Sequence, residues 1–97
     1  VTGDAGHVVI DAGTEKGGAQ VIANIRALGF DPRDVRYVLN THEHVDHAGG
    51  LAAVQRASGA RVLARREAVP TLQRGRSDAT DPQFSILDPF PPVAGVQ

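Results

Sequence analysis

Apolar residues recur in two rhythms along this chain. His7–Asp11 (His-Val-Val-Ile-Asp) is a short β-branched run closed by Ala12-Gly13, and it predicts a buried strand. From Gly17 to Leu28 the period lengthens. Val21, Ile22, Ile25 and Leu28 recur at helical spacing and predict one apolar helix face. Gly29-Phe30 marks the helix end, since glycine enters the left-handed conformation without a Cβ clash. Asp31-Pro32-Arg33-Asp34 is a tight connector: proline sets φ, and aspartate accepts backbone N–H bonds. Val35–Asn40 predicts a second strand, followed at once by a polar, histidine-rich segment, Thr41–His47. Leu51–Ser58 predicts a second helix with Leu51 and Val54 inward and Gly59 at its end. Arg61–Ala64 predicts a third, short strand. Glu67–Arg74 predicts a short helix closed by Gly75, with Pro70 tolerable in its first turn. From Arg76 onward the pattern dissolves around Asp81-Pro82, Asp88-Pro89 and Pro91-Pro92. Phe84, Ile86, Leu87 and Phe90 predict that this irregular stretch packs on something.

The order strand, helix, strand, helix, strand, helix implies an α/β fold, a layer with right-handed crossovers. About three strands make a small sheet for helices that each need one to cover, so part of the fold is expected to lie elsewhere. The length agrees. The 97 residues allow one small domain at most, since domains typically run to about 100–150 residues. The sequence holds no Met, so it is expected to be a processed product or an excerpt, with residues 1–97 forming a single partial domain.

Composition then removes several function classes. Hydrophobic residues make up 41% and charged residues 22%, as in ordinary globular proteins. The net charge is −1 and the nine arginines are dispersed, which argues against a nucleic-acid partner. No apolar run approaches the ~20 residues that span a bilayer, so no membrane partner is expected, and no signal peptide is visible. The absence of Cys excludes a disulfide framework and a thiolate zinc site.

The candidate chemistry is concentrated in Thr41-His42-Glu43-His44-Val45-Asp46-His47, which holds three of the four histidines. At a strand end, residues two apart point the same way, so His42 and His44 present two imidazoles to one point. Asp46 and His47 follow where the chain turns toward a helix and reach a second point a few ångströms on. Imidazole and carboxylate are what zinc and related metals accept without thiolate. A catalytic zinc typically has three protein ligands plus water, so each pair is about one ligand short, and the remainder is expected beyond Gln97. Gly49 and Gly50 are expected to let the backbone turn tightly beside the site. His7 lies at the far end of its strand and is read as structural. Asp11 has two readings: a turn cap before Gly13, or a carboxylate that supports the metal loop from behind. Glu43 points away from His42 and His44 in an extended chain, so it is expected to be exposed or to support the loop from behind rather than to ligate. Arg65-Arg66 is expected to be a solvated surface pair.

The stretch Thr41–Gly50 resembles the metal-binding signature of the metallo-β-lactamase superfamily, and Val9-Ile10-Asp11-Ala12-Gly13 resembles the aspartate–glycine motif that precedes it there. Ala23–Phe30, Gly75–Asp78, Asp81–Phe84 and Phe90–Val93 look like class B β-lactamases of the third subclass. That resemblance implies a four-layer αβ/βα sandwich with two zinc ions at one edge. It implies that His42 and His44 hold the first zinc and Asp46 and His47 the second, each with a later histidine. It further implies that a hydroxide held between the metals opens a β-lactam ring, that Asp46 acts catalytically by orienting it and relaying a proton, and that the protein is exported to the periplasm. The substrate would be a small molecule, a β-lactam antibiotic. The sequence departs from that subclass at Glu43, more often Ala there, and at Thr41, more often Ser. A Thr-His-X-His pair also occurs in glyoxalase-like members, so a thioesterase or lactonase of the same superfamily is the alternative. A third reading is that these 97 residues alone bind metal weakly or not at all and catalyse nothing.

Overall fold

A computed structural model describes residues 1–77 and 89–97. Its strands are β1 (Thr2–Gly3), β2 (Gly6–Ile10), β3 (Val35–Leu39) and β4 (Arg61–Leu63). Its helices are α1 (Glu15–Ala27), α2 (Val45–Ala48), α3 (Leu51–Ser58) and α4 (Val69–Arg74). The strands form one sheet in the order β1-β2-β3-β4, with β1 antiparallel to β2 and the other pairs parallel. This is the α/β layer that the alternating pattern predicts.

The two-residue β1, absent from the sequence-based reading, is too short to carry a periodic signal. It joins the sheet through the turn at Asp4-Ala5, and Gly6, which opens β2, has φ +124°. The segment around residue 7 holds a β-bulge: His7 pairs with Val35 and Val8 with Tyr37, leaving Arg36 as the extra residue. The insertion re-phases the alternation, so Val35 and Val38, three apart, are both buried. Val9, Val38 and Val62 lie in one cross-strand row. α3 packs on β3 and β4, and α1 packs on α3. Ile22, Leu51, Val54 and Leu72 join these valines in the core.

The first helix differs at both ends from the expected 17–28. It begins earlier because the Thr14 hydroxyl accepts the Gly17 N–H and caps it. It stops at Ala27, so Leu28 becomes the cap and is 74% exposed rather than part of the apolar face. The helix expected over 67–74 is split into a 3-10 turn, Arg66–Ala68, and α4, with Pro70 in the first turn of α4. Gly75 caps α4 at φ +78°. The expected packing of the irregular tail holds for Phe90, which is buried together with Val93 and Val96. Phe84, Ile86 and Leu87 lie outside the described residues. The Val93 N–H donates to Leu72 O at 2.9 Å, and Gln97 runs along the outer edge of β4, bonded to Val62 O and Ala64 N.

Candidate metal centre

Because β2 and β3 are parallel and Ile10 pairs with Leu39, both strands deliver their next residues to one edge of the sheet. Asp11 and Asn40 leave the strands there. The Asp11 N–H donates to Leu39 O at 2.8 Å, and Asn40 N–H to Leu63 O at 2.8 Å. The polar segment then folds back on the first turn: Ala12 N–H meets His47 O at 3.2 Å and Gly50 N–H meets Gly13 O at 3.0 Å. Two motifs far apart in sequence are thereby bonded into one loop system.

Asp11 is the hub of that system. It is a non-glycine residue at φ +58°, a left-handed conformation that aspartate tolerates better than most residues. One carboxylate oxygen accepts the Thr41 N–H at 2.7 Å, with the Asn40 side-chain amide at 3.5 Å. The other accepts the Thr41 hydroxyl and lies 3.1 Å from His47 Nδ1. Partial burial raises the carboxyl pKa, but the bonds from the Thr41 hydroxyl, the Thr41 amide and His47 outweigh it and hold the group below its usual value. Of the two sequence readings of Asp11, the bonds to Thr41 and His47 match a carboxylate standing behind the histidine loop.

His42 Nε2 and His44 Nδ1 are 2.8 Å apart, with ring centroids 4.1 Å apart. His44 precedes α2 with an extended ψ of 159°, which turns the chain so that Asp46 and His47 fall in one helical turn. There His47 Nε2 lies 3.6 Å from Asp46 Oδ2. The His42 and His47 ring centroids are 5.3 Å apart, so the two pairs adjoin. Two ligands held about 2.0–2.1 Å from one tetrahedral zinc stand about 3.3 Å apart; the Asp46–His47 pair lies near that spacing, and the His42 and His44 nitrogens stand at hydrogen-bond distance. Among the described residues no group of three or more His, Cys, Asp or Glu side chains stands close enough to hold an ion. Imidazole and carboxylate are donors that zinc accepts, and neither pair by itself is a full ligand set.

Gly49 and Gly50 serve the loop by a different route from the one expected. Neither has a positive φ. They are small because other backbone passes against them. A Cβ on Gly49 would stand 2.6 Å from Val45 O and 2.9 Å from Glu15 N, and one on Gly50 would stand 2.6 Å from Gly18 Cα. Gly18 answers from α1, where a Cβ would stand 2.6 Å from Gly50 O.

Three side chains near the loop were missed or misread from sequence. Asn40, read simply as the last strand residue, is 6% exposed and its amide donates to His42 O at 2.8 Å, while its Oδ1 is buried with no hydrogen-bond partner among the described residues. Glu43, expected to point away from His42, instead has Oε2 3.8 Å from His42 Nδ1, with its side chain 21% exposed. Arg65, expected to be solvated, donates to its carboxylate at 3.1 Å. The Glu43 carboxyl also falls below its usual pKa: partial burial raises it, but its own backbone N–H, Arg65 and His42 outweigh that and lower it. His7 stays apart as expected, at the far end of β2, with Thr2 Oγ1 3.2 Å from its Nδ1 and the Phe30 ring 4.8 Å away.

Known proteins carry the same framework. The chain superposes on metallo-β-lactamase SMB-1, bound there to 2-mercaptoethanesulfonate, with a TM-score of 0.95 and 50% identity over 99% of its length. It superposes on MEM-A1, a subclass B3 metallo-β-lactamase from a soil metagenome library, with a TM-score of 0.96 and 42% identity over its whole length. It spans 37% of each of those chains. Among curated sequences, the N-acyl homoserine lactonase AttM of Agrobacterium fabrum is 34% identical over 80 residues, covering 60% of this chain and 30% of the lactonase. A hydroxyacylglutathione hydrolase of Polaromonas sp. is 45% identical over 49 residues, covering 50% of this chain and 18% of the hydrolase. The family described as the metallo-beta-lactamase superfamily matches residues 1–96. With the Asp11 turn, the histidine loop and the α/β framework all matched along one chain, this protein belongs to the metallo-β-lactamase superfamily.

Proposed function

We propose that the protein is a zinc-dependent hydrolase that opens the β-lactam ring of a small-molecule antibiotic. The observation that carries this reading is the likeness to SMB-1 over 99% of the chain at 50% identity. His42 and His44 would hold one zinc and Asp46 and His47 a second, two per complete domain, with further ligands from outside these four. Bound zinc would supply an acidified water, with a pKa near about 7, and would polarise the substrate carbonyl. The chain's own residues prepare for that chemistry. Asp11 faces Nδ1 of His47, which favours a proton there and leaves the Nε2 lone pair on the Asp46 side. Asp46, the most exposed acid of the loop, would orient the attacking water and accept its proton as a general base. Asn40 and Thr41 hold the loop backbone against Asp11 so that these groups do not drift. The test is turnover of a chromogenic cephalosporin by the full-length protein, before and after chelation. Turnover that chelation abolishes supports the reading, and turnover indifferent to chelation sinks it. Export to the periplasm or beyond goes with this proposal and is checked by fractionating expressing cells.

A second reading keeps the metal loop and changes the substrate. Its support is the local identity to the lactonase of A. fabrum and the hydroxyacylglutathione hydrolase of Polaromonas. Rates measured side by side on an N-acyl homoserine lactone, S-lactoylglutathione and a penicillin decide between the two.

A further inference from the structure

His42 and His47, one from each candidate donor pair, both have a carboxylate on the Nδ1 side, at hydrogen-bond distance for His47 and farther off for His42. Nδ1 of His47 faces the Asp11 carboxylate at 3.1 Å while its Nε2 faces Asp46. Nδ1 of His42 faces the Glu43 carboxylate at 3.8 Å while its Nε2 faces His44. Glu43 is not a loose surface acid. Its side chain is 21% exposed, and the same oxygen that faces His42 accepts from Arg65 at 3.1 Å. Arg65 follows the end of β4, so the ion pair ties the histidine loop to the neighbouring strand across 22 residues of sequence.

We propose that Glu43, held by Arg65, is a positioning residue that keeps the proton of His42 on Nδ1 and so turns the Nε2 lone pair toward the metal position. The proposal rests on the zinc reading above for its consequence, but not for its geometry. A carboxylate in front of Nδ1 repels a lone pair there and favours an N–H, and the tautomer of a neutral imidazole is set by the partner of the nitrogen that does not ligate. At 3.8 Å the contact lies beyond a direct hydrogen bond, so it acts as an oriented charge. Arg65 is needed because an unclamped glutamate would swing into water.

The test uses the 15N-histidine-labelled full-length protein without metal, at a pH where His42 is neutral. Long-range 1H–15N correlations report which ring nitrogen carries the proton. We expect the Nδ1–H form in the parent and a shift toward Nε2–H in Glu43→Ala, with Glu43→Gln as an isosteric second variant should the alanine form fail to fold. Zinc competition titration then reads the consequence. Glu43→Ala should lose roughly 10–100-fold in affinity, Arg65→Ala less, and Arg65→Lys should recover most of the loss. An Nε2–H form in the parent overturns the proposal, and so does a variant whose zinc affinity falls while the His42 tautomer stays unchanged. If the parent protein binds no zinc, the hydrolase reading fails, and the tautomer measurement still decides the role of Glu43.

Discussion

The two ends of strand β2 carry similar side chains and different prospects. At its start, His7 meets a threonine hydroxyl and the edge of Phe30. Beyond its end, Asp11 binds Thr41 twice and faces His47, and His42, His44 and Asp46 gather within one loop. Histidine and aspartate occur near both ends, for Asp34 lies by the start of β3. The difference is what the parallel strands deliver. At the ends of β2 and β3 the chain leaves two adjacent strands in the same direction, so two loops meet and interlock. At the other end the hairpin of β1 and β2 meets the connector that ends at Asp34, but among the described residues no hydrogen bond or ion pair joins His7 to an acid. A strand's carboxyl end is where open α/β sheets tend to bind ligands, and here the reason is visible in the bonds between residues 11–13 and 40–50.

That contrast can be broken most severely at Asp11. Asp11→Ala removes the acceptor of two Thr41 bonds and leaves alanine at a left-handed φ, so we expect a loss of about 3–4 kcal/mol in denaturant unfolding. Asp11→Gly should recover about 1 kcal/mol of this by relieving the backbone while leaving the loop just as loose. A Gly variant no more stable than the Ala variant would show that the conformation costs nothing. Next comes the contact that seats the loop from below. Gly18→Ala drives a Cβ to within 2.6 Å of Gly50 O, where backbone faces backbone, and should cost about 2–3 kcal/mol by thermal or chemical melting. A smaller effect sharpens the comparison. Thr41→Val keeps the shape and loses the hydroxyl that Asp11 accepts, at about 1 kcal/mol, and Thr41→Ser should restore it. The smallest lies at the opposite end. His7→Ala removes one edge-on ring contact with Phe30 and should cost less than about 1 kcal/mol, with zinc affinity unchanged by titration. A drop in zinc affinity from His7→Ala would erase the distinction between the two ends.

The candidate donors were legible because they lie close together in sequence. The spacing of His42, His44, Asp46 and His47 names them before any fold is known, and the structure brings them into two adjoining pairs. The residues behind them were harder to see. Arg65 looks like any exposed arginine, and Asn40 like the last residue of a strand, because their partners depend on strand register rather than on neighbours in sequence. Val35 shows the same limit within one strand. Only the bulge opposite His7 explains how it shares a face with Val38.

The sequence by itself determined the α/β order, the strands at 6–10, 35–39 and 61–63, the helix over 51–58 and which residues stand as candidate donors in the loop. Each of these is a matter of local period or local spacing, and local forces decide them. Only the tertiary structure decided that Asp11 stands behind His47 from 36 residues away, that Glu43 is held by Arg65, and that Gly49 and Gly50 are small to admit passing backbone. Those contacts form where parallel strands and packed helices bring distant segments together, and no periodicity along the chain records that encounter.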